Sequence, residues 1–196
     1  VSTSQATLPG QNGDILFALE SGGVFTAGQA GGDPHRVTNV PASATQPAIS
    51  PNGGKVAFVG DDQNIYLSSP RSSKPPMQMT FDGSNHGPVF SPDGGSILYF
   101  HQRIVTNVPK GQVESDLTEV PVSGGNTEVI SVVPGFAGTI DVSPNGERIA
   151  YGDPGIVTMN RDGTGLKVLT DAGYDPSFSP DGRHIAYAAS VGLHNQ

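Results

Sequence analysis

The sequence contains no cysteine. That absence excludes disulfides, thiol nucleophiles and cysteine-ligated zinc, but it leaves the compartment open, because many exported bacterial proteins also lack disulfides. Basic residues are scarce: 10 Lys and Arg stand against 18 Asp and Glu, for a formal net charge of −8. No stretch gathers the basic side chains into a face that could follow a phosphate backbone, which argues against a nucleic-acid partner. Long apolar runs are missing too. None approaches the roughly 18 residues of a membrane-spanning helix, and no basic-then-apolar leader opens the chain. The expectation is a chain that does not span the membrane and, if exported, has already lost its signal peptide. Also absent are H-E-x-x-H, the phosphate-cradling G-x-x-x-x-G-K-[ST], the G-x-S-x-G elbow and an EF-hand loop.

What is present is turn-rich. The 196 residues are 35% hydrophobic and 14% charged, and 27 glycines and 17 prolines punctuate short apolar runs. This is the composition of β-structure with many turns, not of a low-complexity tract. Four segments align without gaps: "ISPNGGKVAFV" from Ile49, "FSPDGGSILYF" from Phe90, "VSPNGERIAYG" from Val142 and "FSPDGRHIAYA" from Phe178. Their serines, Ser50, Ser91, Ser143 and Ser179, lie 41, 52 and 36 residues apart, and eight residues after each stands an aromatic: Phe58, Tyr99, Tyr151 and Tyr187. Asn-Gly or Asp-Gly between apolar runs predicts a tight hairpin, and the preceding proline marks the end of strand pairing. Third and fourth strands follow, such as "NIYLSS" with "PMQMT" and "GIVTMN" with "LKVLT". The stretch from Gly13 reads as a unit lacking its first strand, with Phe17 in the aromatic column.

Four-stranded units of about 40 residues are the mark of a β-propeller, in which neighbouring blades bury each other's faces. The repeated "SPDGxxIAY", with "MNRDGTGLKVLT" from Met159 and "LPGQNGDILF" from Leu8, resembles the TolB-type β-propeller family, a WD-like, SPDG-repeat family of mostly exported bacterial proteins. The resemblance implies an all-β fold of four-stranded antiparallel blades and, for the chain, a periplasmic or extracellular location. About four to five blades fit in this length. Such propellers usually have six, needing roughly 240 to 270 residues, so the expectation is a fragment of a six-bladed ring, or self-association through open blade edges. The expected organisation is an N-terminal arm over 1–13 and a single propeller over 14–196, in units 14–46, 47–86, 87–138, 139–174 and an incomplete 175–196.

The repeated serines read as turn residues rather than nucleophiles, and Asp93 and Asp181 likewise, since Asn52 and Asn145 replace them in sister units. "GDDQN" from Gly60 reads as a solvated turn in preference to a calcium site. Because strands alternate in direction, the SPDG turns share one end of the blades and the loops after second and fourth strands share the other. The second end collects the irregular material, including "QRIVTNVPKGQVES", which reads as a long loop. Binding is expected there, on an inner rim just before each first strand: Thr45 and Gln46, Asn85 and His86, Gly138 and Thr139, Tyr174 and Asp175. With the Asp93-Gly94 turn as centre, residues summing to 187 face each other, which sets His86 opposite His101.

The candidate binding residues are therefore Gln46, Asn85, His86, His101, Thr139, Tyr174 and Asp175, with no catalytic residue, metal ligand or cofactor assigned. Oligogalacturonate-lyase-like relatives of the fold hold a metal on channel histidines from several blades, yet the positions equivalent to His86 here are Thr45, Gly138 and Tyr174. The favoured reading is a non-catalytic exported binding or scaffold module that recognises a protein or cell-envelope partner. The alternatives are the propeller portion of a prolyl-oligopeptidase-like peptidase or a metal-dependent oligogalacturonate-lyase-like enzyme.

Overall fold

The computed structural model describes residues 15–19, 22–28, 33–37, 39–70, 72–105, 112–152 and 155–189. The expected N-terminal arm, residues 106–111 of the insertion and residues 190–196 lie outside them. The described residues form strands and turns only, with no helix. The first sheet holds β1 (Ile15–Ala18), β2 (Val24–Ala27) and β3 (His35–Arg36). The second holds β4 (Thr45–Ile49), β5 (Val56–Val59), β6 (Ile65–Ser68) and β7 (Met77–Gln78). The third holds β8 (Asn85–Phe90), β9 (Ser96–Val105), β10 (Gln112–Pro121) and β11 (Glu128–Pro134). A fourth holds β12 (Ile140–Val142), β13 (Arg148–Gly152), β14 (Ile156–Asn160) and β15 (Lys167–Thr170), and β16 (Tyr174–Phe178) pairs with β17 (Ile185–Ala188). Every pairing is antiparallel between chain neighbours. The inner strands pack in succession, β1 on β4, β4 on β8, β8 on β12 and β12 on β16. This is the propeller arrangement that the repeat predicts.

Each SPDG turn builds itself from its own side chains. The serine hydroxyl donates to the carboxyl or amide oxygen two residues on: Ser50 to Asn52 (2.9 Å), Ser91 to Asp93 (2.5 Å), Ser143 to Asn145 (2.8 Å) and Ser179 to Asp181 (2.6 Å). The same hydroxyl accepts the backbone N–H five residues on, from Lys55, Ser96, Arg148 and His184. Asn and Asp interchange because either supplies the one acceptor oxygen this geometry uses. The turn is longer than the two-residue hairpin that Asp-Gly suggests: Ser91 and Ser96 close it, and only the glycine, Gly94 at φ 69°, turns left-handed.

Alternate strand residues point to opposite faces, so each blade offers apolar side chains to both neighbours, and three clusters fill the gaps. Phe58 lies with Leu16, Val24 and Val37 between the first two sheets; Tyr99 with Ile65, Leu67 and Val120 between the next two; Tyr151 with Phe100, Leu117 and Ile140 between the third and fourth. Burying one such aromatic contributes roughly 1.5–3 kcal/mol. The outer members of the aromatic column differ. Phe17 is half-buried against Phe25, and Tyr187 is 48% exposed, although its ring lies where a side chain on Gly173, in the connection just before β16, would point. Equivalent strand position does not give equal burial, because the two-stranded sheet of β16 and β17 covers less of its neighbour.

The insertion is not a loop over its described part. Its flanks continue β9 and β10 as ten-residue strands in unbroken register, from Gln112 opposite Val105 to Pro121 opposite Ser96. Arg103 braces this extended hairpin with ion pairs to Glu114 and Asp116.

Candidate functional site

The irregular end of the blades is organised by a recurring kink. Four residues before three of the SPDG serines the backbone takes positive φ, at Gln46 (48°), Gly87 (62°) and Asp175 (53°), and each is followed by proline: Pro47, Pro88 and Pro176. Proline has no N–H for the ladder, and at these places the pairing slips, between Thr45 and Ala48, His86 and Val89, and Tyr174 and Ser177. The fourth inner strand has Thr139-Ile140 there, without proline, and it pairs regularly from Ile140.

This bulge corrects the expected histidine pair. Near the turn Phe90 faces Ile97, as the sum of 187 requires, but beyond the bulge His86 faces Phe100 and Asn85 faces His101. A one-residue slip exchanges sheet faces, so His86 and His101 lie on opposite faces of the blade. His86 turns toward the fourth sheet. Its ring stacks on Phe136 (4.9 Å between centroids, 8° between planes) and its Nε2 lies 2.7 Å from the Ala137 carbonyl oxygen. A carbonyl only accepts, so Nε2 carries the hydrogen. Burial pushes the imidazole below its ordinary pKa, which keeps the ring neutral.

His101 turns toward the second sheet, with Nδ1 3.1 Å from the Gly83 carbonyl oxygen and 3.2 Å from Asn85 Oδ1. Asn85 is buried, and its Nδ2 reaches Thr80 Oγ1 (3.1 Å) and Asp82 Oδ1 (2.9 Å). It is thus a structural link between blades, not an open rim group. The other candidates link blades as well. Gln46 Oε1 accepts the Gly87 N–H at 2.7 Å, and the Thr139 hydroxyl donates to Asp175 Oδ1 at 3.0 Å. Gly87 has two reasons to be glycine: its left-handed φ, and the Gly138 carbonyl oxygen 3.2 Å from where a methyl group would sit.

The rim therefore uses most of its polar groups internally and presents aromatics outward. Phe81 is 79% exposed, Phe136 53% and Tyr174 50%. Tyr174 was a candidate from sequence; Phe81 and Phe136 were not, although both sit in the loops after fourth strands, where exposure was expected. On the inner strand of the fourth blade, Asp141 accepts the Phe178 N–H at 2.6 Å and the Val142 N–H at 3.0 Å, and burial pushes its pKa up to about 6. The equivalent positions are Ala48, Val89 and Ser177.

With the fold and rim in place, comparison with known proteins is decisive at one level. A profile of the family described as the TolB beta propeller domain matches residues 16–196. The chain belongs to this family. TolB from Acinetobacter baumannii superposes with a TM-score of 0.76 at 19% identity, over 97% of this chain and 49% of that one. A putative TolB from Agrobacterium tumefaciens gives 0.65 at 21% identity, over 90% and 70%. An oligogalacturonate lyase in complex with manganese gives 0.70 at 14% identity, over 98% and 60%. At these identities the likeness is one of fold, and this TolB-family chain spans about half the length of the Acinetobacter protein. No curated protein matches the sequence. Among the described residues no three His, Asp or Glu side chains converge, and His86 and His101 do not share a face.

Proposed function

We propose that this TolB-family propeller is a non-catalytic recognition module of an exported bacterial protein, docking a protein or cell-envelope partner on its irregular loop face. The carrying observation is the pairing of exposed Phe81, Phe136 and Tyr174 with rim polar groups that already bond to one another. Exposed aromatics on a rigid frame supply contact area at little entropic cost, and such residues are enriched where partners bind. A periplasmic or extracellular location accords with this reading. So does a net charge of −8, which favours a neutral or basic partner.

The test immobilises the chain and challenges it with a cell-envelope extract. Retention of a discrete component should fall at least tenfold in a variant with Phe81, Phe136 and Tyr174 all changed to Ser. It should persist in Asp93→Asn, at the opposite end. Retention lost in the second variant and kept in the first would place docking on the wrong face. Formation of unsaturated uronate from an oligogalacturonate by the isolated chain would refute the non-catalytic reading.

A further inference from the structure

The cleft between the first two blades carries chemistry that the rim does not use. A cavity of about 410 Å³ opens there, within the ~300–1,000 Å³ typical of small-ligand sites. Its accessible wall is the partly exposed Tyr66 ring, backed by the buried Phe58 on which it stacks at 5.7 Å with 16° between the planes, and Pro41 and Pro76 complete the apolar lining. Its loop side is acidic. Asp61 Oδ2 accepts the Ser43 hydroxyl at 2.9 Å. Asp62 Oδ2 accepts Asn64 Nδ2 (2.8 Å) and the Tyr66 hydroxyl (2.9 Å), while Oδ1 accepts the Asn64 N–H (3.1 Å). These bonds, with that from the Asn64 side chain the largest, hold the Asp62 carboxyl below its ordinary range. Yet among the described residues neither carboxylate has a Lys, Arg or His in ion-pair contact.

Two fixed negative charges beside an aromatic wall, without a counter-charge, complement an organic cation. Its apolar stem packs on Pro41, Pro76 and the Tyr66 ring, and its head meets the carboxylates and the electron-rich face of that ring. A hard divalent metal fits poorly, since it needs about six oxygens and both Asp62 oxygens are already engaged, with apolar side chains opposite. We propose that this cleft binds a guanidinium or alkylammonium group, as a basic side chain of a protein segment or as a free organic cation. The site lies between the first two blades and stands independently of docking at Phe81, Phe136 and Tyr174.

The experiment follows the backbone amides of Asp61, Asp62 and Tyr66 by NMR while the full chain is titrated with n-butylguanidinium, n-butylammonium or uncharged butan-1-ol. Saturable shifts are expected with both cations and none with the alcohol. The affinity should fall about tenfold in Asp61→Asn with Asp62→Asn, the loss of one charge-assisted contact or more. Asp61→Asn alone, which leaves the Asp62 bonds to Asn64 and Tyr66 in place, is the second variant should the double one fold poorly, and it should also weaken binding. A capped Gly-Arg-Gly peptide binding more tightly than n-butylguanidinium assigns the site to a protein segment; the reverse order assigns it to a free cation. Butan-1-ol moving the same amides as strongly, cations binding the Asn variants unchanged, or calcium ions shifting these amides where the organic cations do not, would each overturn the proposal.

Discussion

At one end of the blades four turns hold themselves together, each serine hydroxyl bonding within six residues of its own turn. At the other end the bonds run from blade to blade: Gln46 to Gly87, His86 to Ala137, Thr139 to Asp175. Local bonding lets a turn recur unchanged wherever its sequence recurs, even where a neighbouring blade adds a contact, as Arg161 does with Ser96 and Glu119. Bonding between blades makes each rim position depend on the next unit, so these positions diverge in residue type while keeping a common backbone path. The self-contained end can be uniform, and the interdependent end is free to acquire Phe81, Phe136 and the extended hairpin of β9 and β10.

The comparison sharpens first against the core that both ends share. Tyr151→Ala removes an aromatic packed edge-on to Phe100 at 5.7 Å and should cost about 3–5 kcal/mol, read as a fall in denaturant midpoint. Next comes the clamp between the fourth and fifth inner strands. Asp141 titrates at about 6 in the fold, above its ordinary 3.8, so the folded state holds the proton more tightly. The stability this confers is complete below pH 4 and is lost as pH rises through 6. Asp141→Asn removes the charge but turns an amide NH2 toward one of the two backbone N–H groups, so its stability relative to the native chain should improve between pH 4 and pH 7, by on the order of 2 kcal/mol, read from denaturant midpoints at the two pH values. Asp62, Asp93, Asp162 and Asp181 are held below their ordinary value and work in the opposite sense, but they cancel in that difference.

Smaller effects separate the two ends directly. Gly87→Ala forces a side chain into a left-handed backbone against the next blade, at a cost of about 1–2 kcal/mol. Ser91→Ala removes a donor and an acceptor from one turn and should cost about 1 kcal/mol, while Asp93→Asn changes thermal unfolding little, because sister turns carry Asn. A Ser91→Ala effect exceeding that of Gly87→Ala would show that the turn end, too, depends on its neighbours. Smallest of all, Phe81→Ala should leave stability within about 0.5 kcal/mol, as expected of an exposed side chain.

The blade architecture was legible because it rests on local chemistry repeated in sequence: a serine, an acceptor two residues on, a glycine, an aromatic at a constant offset. His86 and His101 were misplaced because an offset counted from a turn assumes an unbroken ladder. The signal that breaks it was present in Gln46-Pro47, Gly87-Pro88 and Asp175-Pro176, each four residues before a serine. The extended hairpin was hidden by turn-like residues in its middle that masked the strand character of its flanks. Asn85 looked like a rim group and is buried, since its partners Thr80 and Gln63 come from an adjacent blade. The cleft at Asp61 and Asp62 was not legible either, because Pro41 and Ser43 reach it only when the first two blades pack.

The interchange of Asn and Asp in the turns bears on how the molecule ages. Asn52-Gly53 and Asn145-Gly146 are the dipeptides most prone to spontaneous deamidation, a slow loss of ammonia through a cyclic imide. When that imide opens to ordinary aspartate, the product is the turn already present at Asp93-Gly94 and Asp181-Gly182, with the same acceptor oxygen facing the same hydroxyl. Opening to isoaspartate inserts an extra backbone carbon and dismantles the turn. In an old sample, damage at these two sites is thus sorted by which way the ring opens, with one product adding only a unit of negative charge and the other loosening a blade.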